Sequence, residues 1–341
     1  MLKIAKAKLP ELFTSLAAQG VLYTPVKMEG VTNYAVWTDK AKVDLDNQTT
    51  RSAKDVFFPQ IENVMDFEKA GLKLSVQQRM IPDQTNIIFG VRGCDARSFE
   101  ILDKVFLKDP IDEFYKARRE HGVIITLACS APDETCFCHT YDIDATAPGG
   151  DITTWLVDGD LYWEANTEKG KALTEKIKGA LTEADAKAVE AQQAATKEIM
   201  KKLPLADFKI DPKIPANLEK VFNSSVWKQL SSTCIGCCSC TYVCPTCHCY
   251  DVRDFEVDNK VERFRCWDSC MNRDFTKMAA VNPRPTQLER TRQRYMHKMV
   301  YFPQNNEGTI ACVGCGRCLQ KCPVSLNIVK VEKALEVAKD V

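Results

Sequence analysis

Residues 234–245 read CIGCCSCTYVCP, and residues 312–323 read CVGCGRCLQKCP. Reduced to cysteines, both are C-x2-C-x2-C-x3-C-P. Three thiols separated by two residues wrap one iron–sulfur cubane in a tight loop. The fourth, behind a short spacer, points away and ligates the other cubane. The proline that follows fixes the exit of the chain. Gly236, Gly314 and Gly316 let backbone amides approach the sulfurs. The spacing therefore assigns Cys234, Cys237, Cys240 and Cys322 to one [4Fe-4S] cluster, and Cys312, Cys315, Cys318 and Cys244 to a second. Zinc also binds CxxC pairs, but it needs two pairs and would leave half of each run idle. The repeat predicts a brown protein with about eight iron atoms in this region.

The remaining composition narrows the function classes. The chain has 341 residues, and 46 basic side chains balance 46 acidic ones. Zero net charge argues against a general nucleic-acid binder, which needs a basic footprint. No run approaches the roughly 18 apolar residues of a membrane span. The opening MLKIAKAKLPELF shows no secretion signal, so a cytoplasmic location is expected. Seventeen cysteines without a secretion signal point to metal rather than disulfides, all the more because the number is odd. No GxGxxG or P-loop motif occurs, so no dinucleotide fingerprint accompanies them. The chain itself has no evident catalytic site.

The expected fold is a two-domain α+β chain: an N-terminal mixed α/β domain and a C-terminal α-helical, ferredoxin-type dicluster domain. The cysteine-free stretch 139–233 supplies the boundary. The expected limits are 1–166, a helical linker over 167–215 rich in Ala, Lys and Glu, and 216–341. Within the first part, VLYTPVK and NYAVW read as strands, and SAKDVFFPQIENVMDFEKAG reads as a helix or a helix plus loop, its start left uncertain by Pro59. NIIFGVR (86–92), a helix over 96–106 and VIITLA (123–128) read as a right-handed βαβ unit. TTWLVDGDLYWEA reads as a hairpin turning at Asp158-Gly159, with Trp155 and Trp163 in the core. The long insert 245–311 between the two runs is expected to be helical.

Two further cysteine groups invite metal. Cys94 follows the first buried strand and Cys129 the second, and Cys136 and Cys138 lie in the next loop. If the strands are parallel neighbours, all four thiols meet at one sheet edge, where α/β proteins bind ligands. A third [4Fe-4S] cluster is expected there, with zinc or plain core thiols as the alternatives. Arg92, Arg97, Arg118 and Arg119 lie close by in sequence and could offset its charge. Cys247, Cys249, Cys266 and Cys270 could form one more iron–sulfur or zinc site, with His248 nearby. Their spacing matches no defensible run, packing thiols remain an alternative, and Cys238 has no assigned part. Arg284, Arg290, Arg292, Arg294, His297 and Lys298 either screen cluster charge, dock an acidic partner, or form a solvated helix face.

The blocks CPTCHC, RCWDSC, RTRQRYMHKMVYF and CVGCGRCLQKCPV resemble the dicluster beta subunits of soluble sulfhydrogenases. The same family includes the A subunit of anaerobic sulfite reductase and the iron–sulfur subunit of flavin oxidoreductases associated with heterodisulfide reductase. FFPQIE, GVRGCDARSFEILDKVF, FYKARRE and TCFC extend the resemblance over nearly the whole chain. The resemblance implies an electron-transfer subunit of an anaerobic oxidoreductase complex. Its expected partners are a flavin/NAD(P)-binding subunit and a catalytic subunit of the hydrogenase, sulfite reductase, heterodisulfide reductase or NAD(P)–ferredoxin oxidoreductase type. Direct reduction of sulfite, polysulfide or a disulfide at the non-standard cysteines is the competing expectation.

Overall fold

The computed structural model describes residues 1–341. Its strands are β1 (Leu2–Ala5), β2 (Val21–Met28), β3 (Val31–Val36), β4 (Ile61–Ala70), β5 (Lys73–Gln78), β6 (Asn86–Val91), β7 (Gly122–Leu127), β8 (Ile152–Val157), β9 (Asp160–Ala165), β10 (Thr182–Glu183), β11 (Tyr250–Val257) and β12 (Lys260–Trp267). They form an eight-stranded sheet in the order β10-β1-β9-β8-β7-β6-β2-β3 and a four-stranded sheet in the order β11-β12-β4-β5.

The centre of the large sheet is parallel, with β2, β6, β7 and β8 side by side. Strands β6 and β7 are buried along their whole length, as expected when helices cover both faces of a parallel sheet. Alternate residues feed opposite cores. Ile87, Phe89, Val123 and Ile125 pack with Leu12, Phe13 and Leu16 of α1 (Leu9–Ala17) and Leu173 of α4 (Glu168–Ile177). Ile88, Val91 and Ile124 pack with Phe99 and Leu102 of α2 (Gly93–Phe106) and Tyr115 of α3 (Glu113–Glu120). The expected βαβ unit is present as β6-α2-α3-β7. The hairpin is β8-β9, and its Trp155 and Trp163 indoles are buried and donate to Thr146 O and Thr174 Oγ1. The expected linker helices are α4 and α5 (Lys187–Met200). They are not merely solvated, since Leu173 and Ile177 of α4 and Val189 of α5 are buried against the sheet.

Two expectations need correction. The stretch 52–71 is not mainly helical: a short 3-10 turn over Ala53–Val56 ends before Pro59, and Ile61–Ala70 is strand. The region after residue 216 is not all-helical either. Strands β11 and β12 pair in full register from Tyr250↔Trp267 to Val257↔Lys260, and β12 then pairs with β4. Both errors have one physical cause. Neither hairpin buries a face within its own half, so hydrophobic periodicity is weak. The ladder between residues 61–70 and 260–267 stabilises both.

The helical part of the C-terminal region packs Trp227, Tyr295, Met296, Met299, Val331 and Leu335 into one core. In it, Glu332 of the helix Ile328–Glu336 is buried with neither carboxylate oxygen hydrogen-bonded. Burial, then the neighbouring Asp211 and Glu336, raise its pKa to about 8. The unfolded value is about 4.3, so folding favours the protonated form. The protein is expected to lose stability as pH rises from about 4.3 to about 8, by at most a few kcal/mol. Melting of Glu332→Gln against pH checks this: the variant should lack that decline.

Candidate iron–sulfur centres

Each cysteine run folds around a left-handed backbone turn. Gly236 has φ +67°, Gly314 +58° and Gly316 +76°. Gly314 and Gly316 are tight for a reason beyond backbone freedom. A Cβ on Gly314 would stand 2.4 Å from Phe137 O, and one on Gly316 2.6 Å from Thr135 O. The second run is thus pressed against the T-C-F-C loop of the N-terminal half, and the Phe137 amide donates to Gly314 O at 2.9 Å.

The structure brings Cys234, Cys237, Cys240 and Cys322 around one cavity, which Cys238 also lines and which Arg294, Tyr295 and Leu326 close. Cys234 Sγ accepts from Gln287 Nε2 at 3.2 Å, and Cys322 Sγ from the Leu326 amide at 3.2 Å. Cys244 leaves this group and faces Cys312, Cys315 and Cys318. Cys322 thus stands with the first run and Cys244 with the second.

These thiols are mostly dry. Burial pushes Cys318 up to about 11 and raises Cys312, Cys315 and Cys240. Cations face them. Buried Arg294 lies between the two groups, donating one bond to Cys240 O at 3.1 Å while its Nε and Nη1 have no partner. Lys298 is buried beside Cys244, donating to Thr246 Oγ1 at 2.8 Å and Ala311 O at 3.1 Å. Burial opposes its charge, but Cys244 and Cys247 outweigh that and hold it protonated. A buried cation without a carboxylate needs another anion. A thiolate-bound cubane, carrying net negative charge, fits both positions. Of the basic stretch, Arg290, Arg294 and Lys298 are buried, which excludes a wholly solvated face.

The N-terminal cysteines also converge. Strands β6 and β7 are parallel neighbours, so Cys94, at the start of α2, and Cys129 emerge at one sheet edge. With Cys136 and Cys138 they line a cavity of about 360 Å³, which Gly314 and Cys315 of the second run also border. Burial raises Cys136 to about 11 and Cys138 to about 12. Of the four nearby arginines only Arg92 lines this cavity, lying against Cys129. Arg97, Arg118 and Arg119 are instead paired with Glu100, Glu62 and Asp103. Nowhere in the chain do three Cys, His, Asp or Glu groups close on one point tightly enough for a single metal ion.

Cys247 faces Cys244, and Cys249 faces Cys270. Cys266 does not join them: it lies on β12 opposite Asp251 and Ile61, among Arg253, Asp251 and Asp268. His248 packs its ring near His297, with centroids 5.3 Å apart, and burial lowers its pKa to about 4.

Sequence reading missed the joint between the two halves. Arg317, inside the second run, is 1% exposed and forms a two-pronged pair with fully buried Asp95, Nη1–Oδ1 2.6 Å and Nη2–Oδ2 2.7 Å. It also donates to Thr49 O and Thr49 Oγ1. Gln48 Nε2 donates to Cys315 O at 3.0 Å and stands 3.9 Å from Cys94 Sγ. These residues are ordinary in type, and only the fold makes them partners.

Residues 233–326 match the family described as a 4Fe-4S dicluster domain. The whole chain is similar to the beta subunit of sulfhydrogenase 2 from Pyrococcus furiosus, at 33% identity over 347 residues, covering 96% of each chain. The chain belongs to the sulfhydrogenase beta-subunit family. No solved structure matches it. Membership of this family agrees with a mixed α/β chain carrying a 4Fe-4S region near its end. No helix is long and apolar enough to cross a membrane.

Proposed function

We propose that this protein is the electron-relay subunit of a multi-subunit oxidoreductase, placed between a flavin/NAD(P)-binding subunit and a catalytic subunit. The observation that carries the reading is the placement of Cys322 beside the first run and of Cys244 beside the second, with buried Arg294 between them. Bound clusters would supply reversible one-electron chemistry. Cys234, Cys237, Cys240 and Cys322 would hold one, and Cys312, Cys315, Cys318 and Cys244 the next. Cys94, Cys129, Cys136 and Cys138 would hold a third.

The chain's own residues suit that task. Arg294 and Lys298 hold fixed positive charge where negative charge would change during turnover. Gln287 and the Leu326 amide donate to ligand sulfurs, which favours the reduced state. Tyr295, Met296 and Met299 keep water away. The two ferredoxin groups share Arg294, and the second shares Cys315 with the border of the N-terminal cavity. The three clusters would thus lie in a continuous series.

The test is anaerobic purification with metal analysis and redox titration. Brown protein with clusters that reduce reversibly is expected, and the partner subunits should co-purify. Colourless zinc protein, or clusters silent to dithionite in electron paramagnetic resonance, would overturn the reading. Cys136→Ala should lower bound iron by about four atoms while leaving the ferredoxin signals. Unchanged iron would remove the N-terminal site.

A further inference from the structure

Five thiols remain after those assignments, and three of them, Cys247, Cys249 and Cys270, face one another. We propose that they hold one more iron–sulfur cluster, beside the second ferredoxin site, with one iron lacking a cysteine ligand. The proposal rests on reading Cys244 as a ligand of that neighbouring site.

Convergence is the first support. Cys247 lies one turn after Cys244, and the Cys247 amide is bonded to Cys244 O. Cys249 ends the same loop at the foot of β11. The closing pair Tyr250↔Trp267 brings the other foot of the hairpin alongside, and the Asp268 amide donates to Cys249 O at 3.0 Å. The next turn carries Cys270 inward, where it faces both Cys249 and Cys247. Ser269 locks that turn, bonding to Thr241 Oγ1 and accepting from the Met271 amide. Two chain segments more than twenty residues apart are thus built to present three thiols to one place. No other cysteine joins: Cys266 faces the charged surface of the hairpin, and Cys238 faces Ser269.

Charge is the second support. Lys54 is 2% exposed and meets no carboxylate. It donates to the carbonyls of Cys244 at 3.0 Å and Cys247 at 2.7 Å, and sits 3.9 Å over the Trp267 ring. Lys298 is 4% exposed and approaches the same loop from the other chain segment. The second ferredoxin site accounts for one buried ammonium. Lys54, on the Cys247 side of the loop, would lend its positive charge to a further anionic centre there. Iron and zinc at these thiols are told apart by metal analysis.

The test uses the full chain, purified without oxygen, with iron, acid-labile sulfide and zinc measured for the parent, Cys249→Ala, Cys270→Ala and Cys266→Ala. The first two variants should each lose about four iron atoms, and the double variant no more than either. Cys266→Ala should lose none, and both ferredoxin signals should persist in all. Unchanged iron in Cys249→Ala and Cys270→Ala, or stoichiometric zinc lost in place of iron, overturns the proposal. If those variants do not fold, native mass spectrometry of Cys136→Ala decides: three bound clusters support it, and two overturn it. Absence of the ferredoxin signals from the parent would instead refute the relay reading beneath it.

Discussion

Arg317→Ala is expected to destabilise the protein by about 3–5 kcal/mol, the cost of leaving a buried ion-pair partner alone. Asp95 is fully buried, and in the variant its carboxylate would keep no cation within reach. Thr49 would also lose both of its bonds from the guanidinium. Melting should fall by on the order of 10 °C for a chain of this size. The pair itself is not expected to be worth that much. Replacing both partners with apolar groups of similar volume, as in Asp95→Leu with Arg317→Met, should recover much of the loss. A double variant no more stable than Arg317→Ala would show that the guanidinium acts some other way. Because Arg317 also lies beside Cys315 and Cys94, the reduction potential of the second ferredoxin centre should fall in the single variant.

Gly314→Ala is expected to be comparably severe, for a steric reason. The added methyl would stand 2.4 Å from Phe137 O and 2.6 Å from the Cys138 nitrogen, on a backbone with φ +58°. These neighbours, with the Phe137 carbonyl carbon at 2.5 Å, are backbone atoms that cannot rotate away. The second run would have to withdraw from the T-C-F-C loop, breaking the Phe137–Gly314 hydrogen bond. The N-terminal four-cysteine site should therefore lose its iron although none of its own cysteines has changed. A loss of about four iron atoms is expected, and destabilisation on the order of 2–4 kcal/mol for the strain and overpacking together. By contrast, Gly308→Ala, with φ +78° but nothing near its Cβ, should retain full iron. Equal iron in Gly314→Ala and the parent would mean that the two loops are not coupled.

The candidate centres were far more legible than the fold around them. Metal-ligand spacing is local: C-x2-C-x2-C-x3-C-P constrains geometry within a dozen residues, so it survives reading without a structure. Cys94 and Cys129 were legible for a related reason, because buried parallel strands announce themselves by composition and their ends share a sheet edge. The hairpin over 250–267 was not legible. VRDFEVDNKVERFRCW alternates imperfectly and most of β11 is exposed, so the pattern gives no buried face. Its partner β4 lies almost two hundred residues earlier. Lys54, Gln48 and the Asp95–Arg317 pair were invisible for the same reason. A buried lysine looks like a surface lysine until its neighbours are known, and Asp95 and Arg317 are 222 residues apart.

The ladder joining β4 to β12 also dictates when the molecule can be completed. A ribosome releases residues 61–78 long before residues 250–267, and the Gly314 loop that packs on Phe137 emerges later still. During synthesis the strand edge of β4 waits uncovered, and the N-terminal cysteines wait without the wall that Cys315 provides. Nascent chains are therefore exposed both to mispairing and to premature oxidation until those later segments have been made. If the amino-terminal site takes the cluster proposed for it, loading of inorganic sulfide and iron there would follow synthesis of the second run, even though Cys94, Cys129, Cys136 and Cys138 are made well before it.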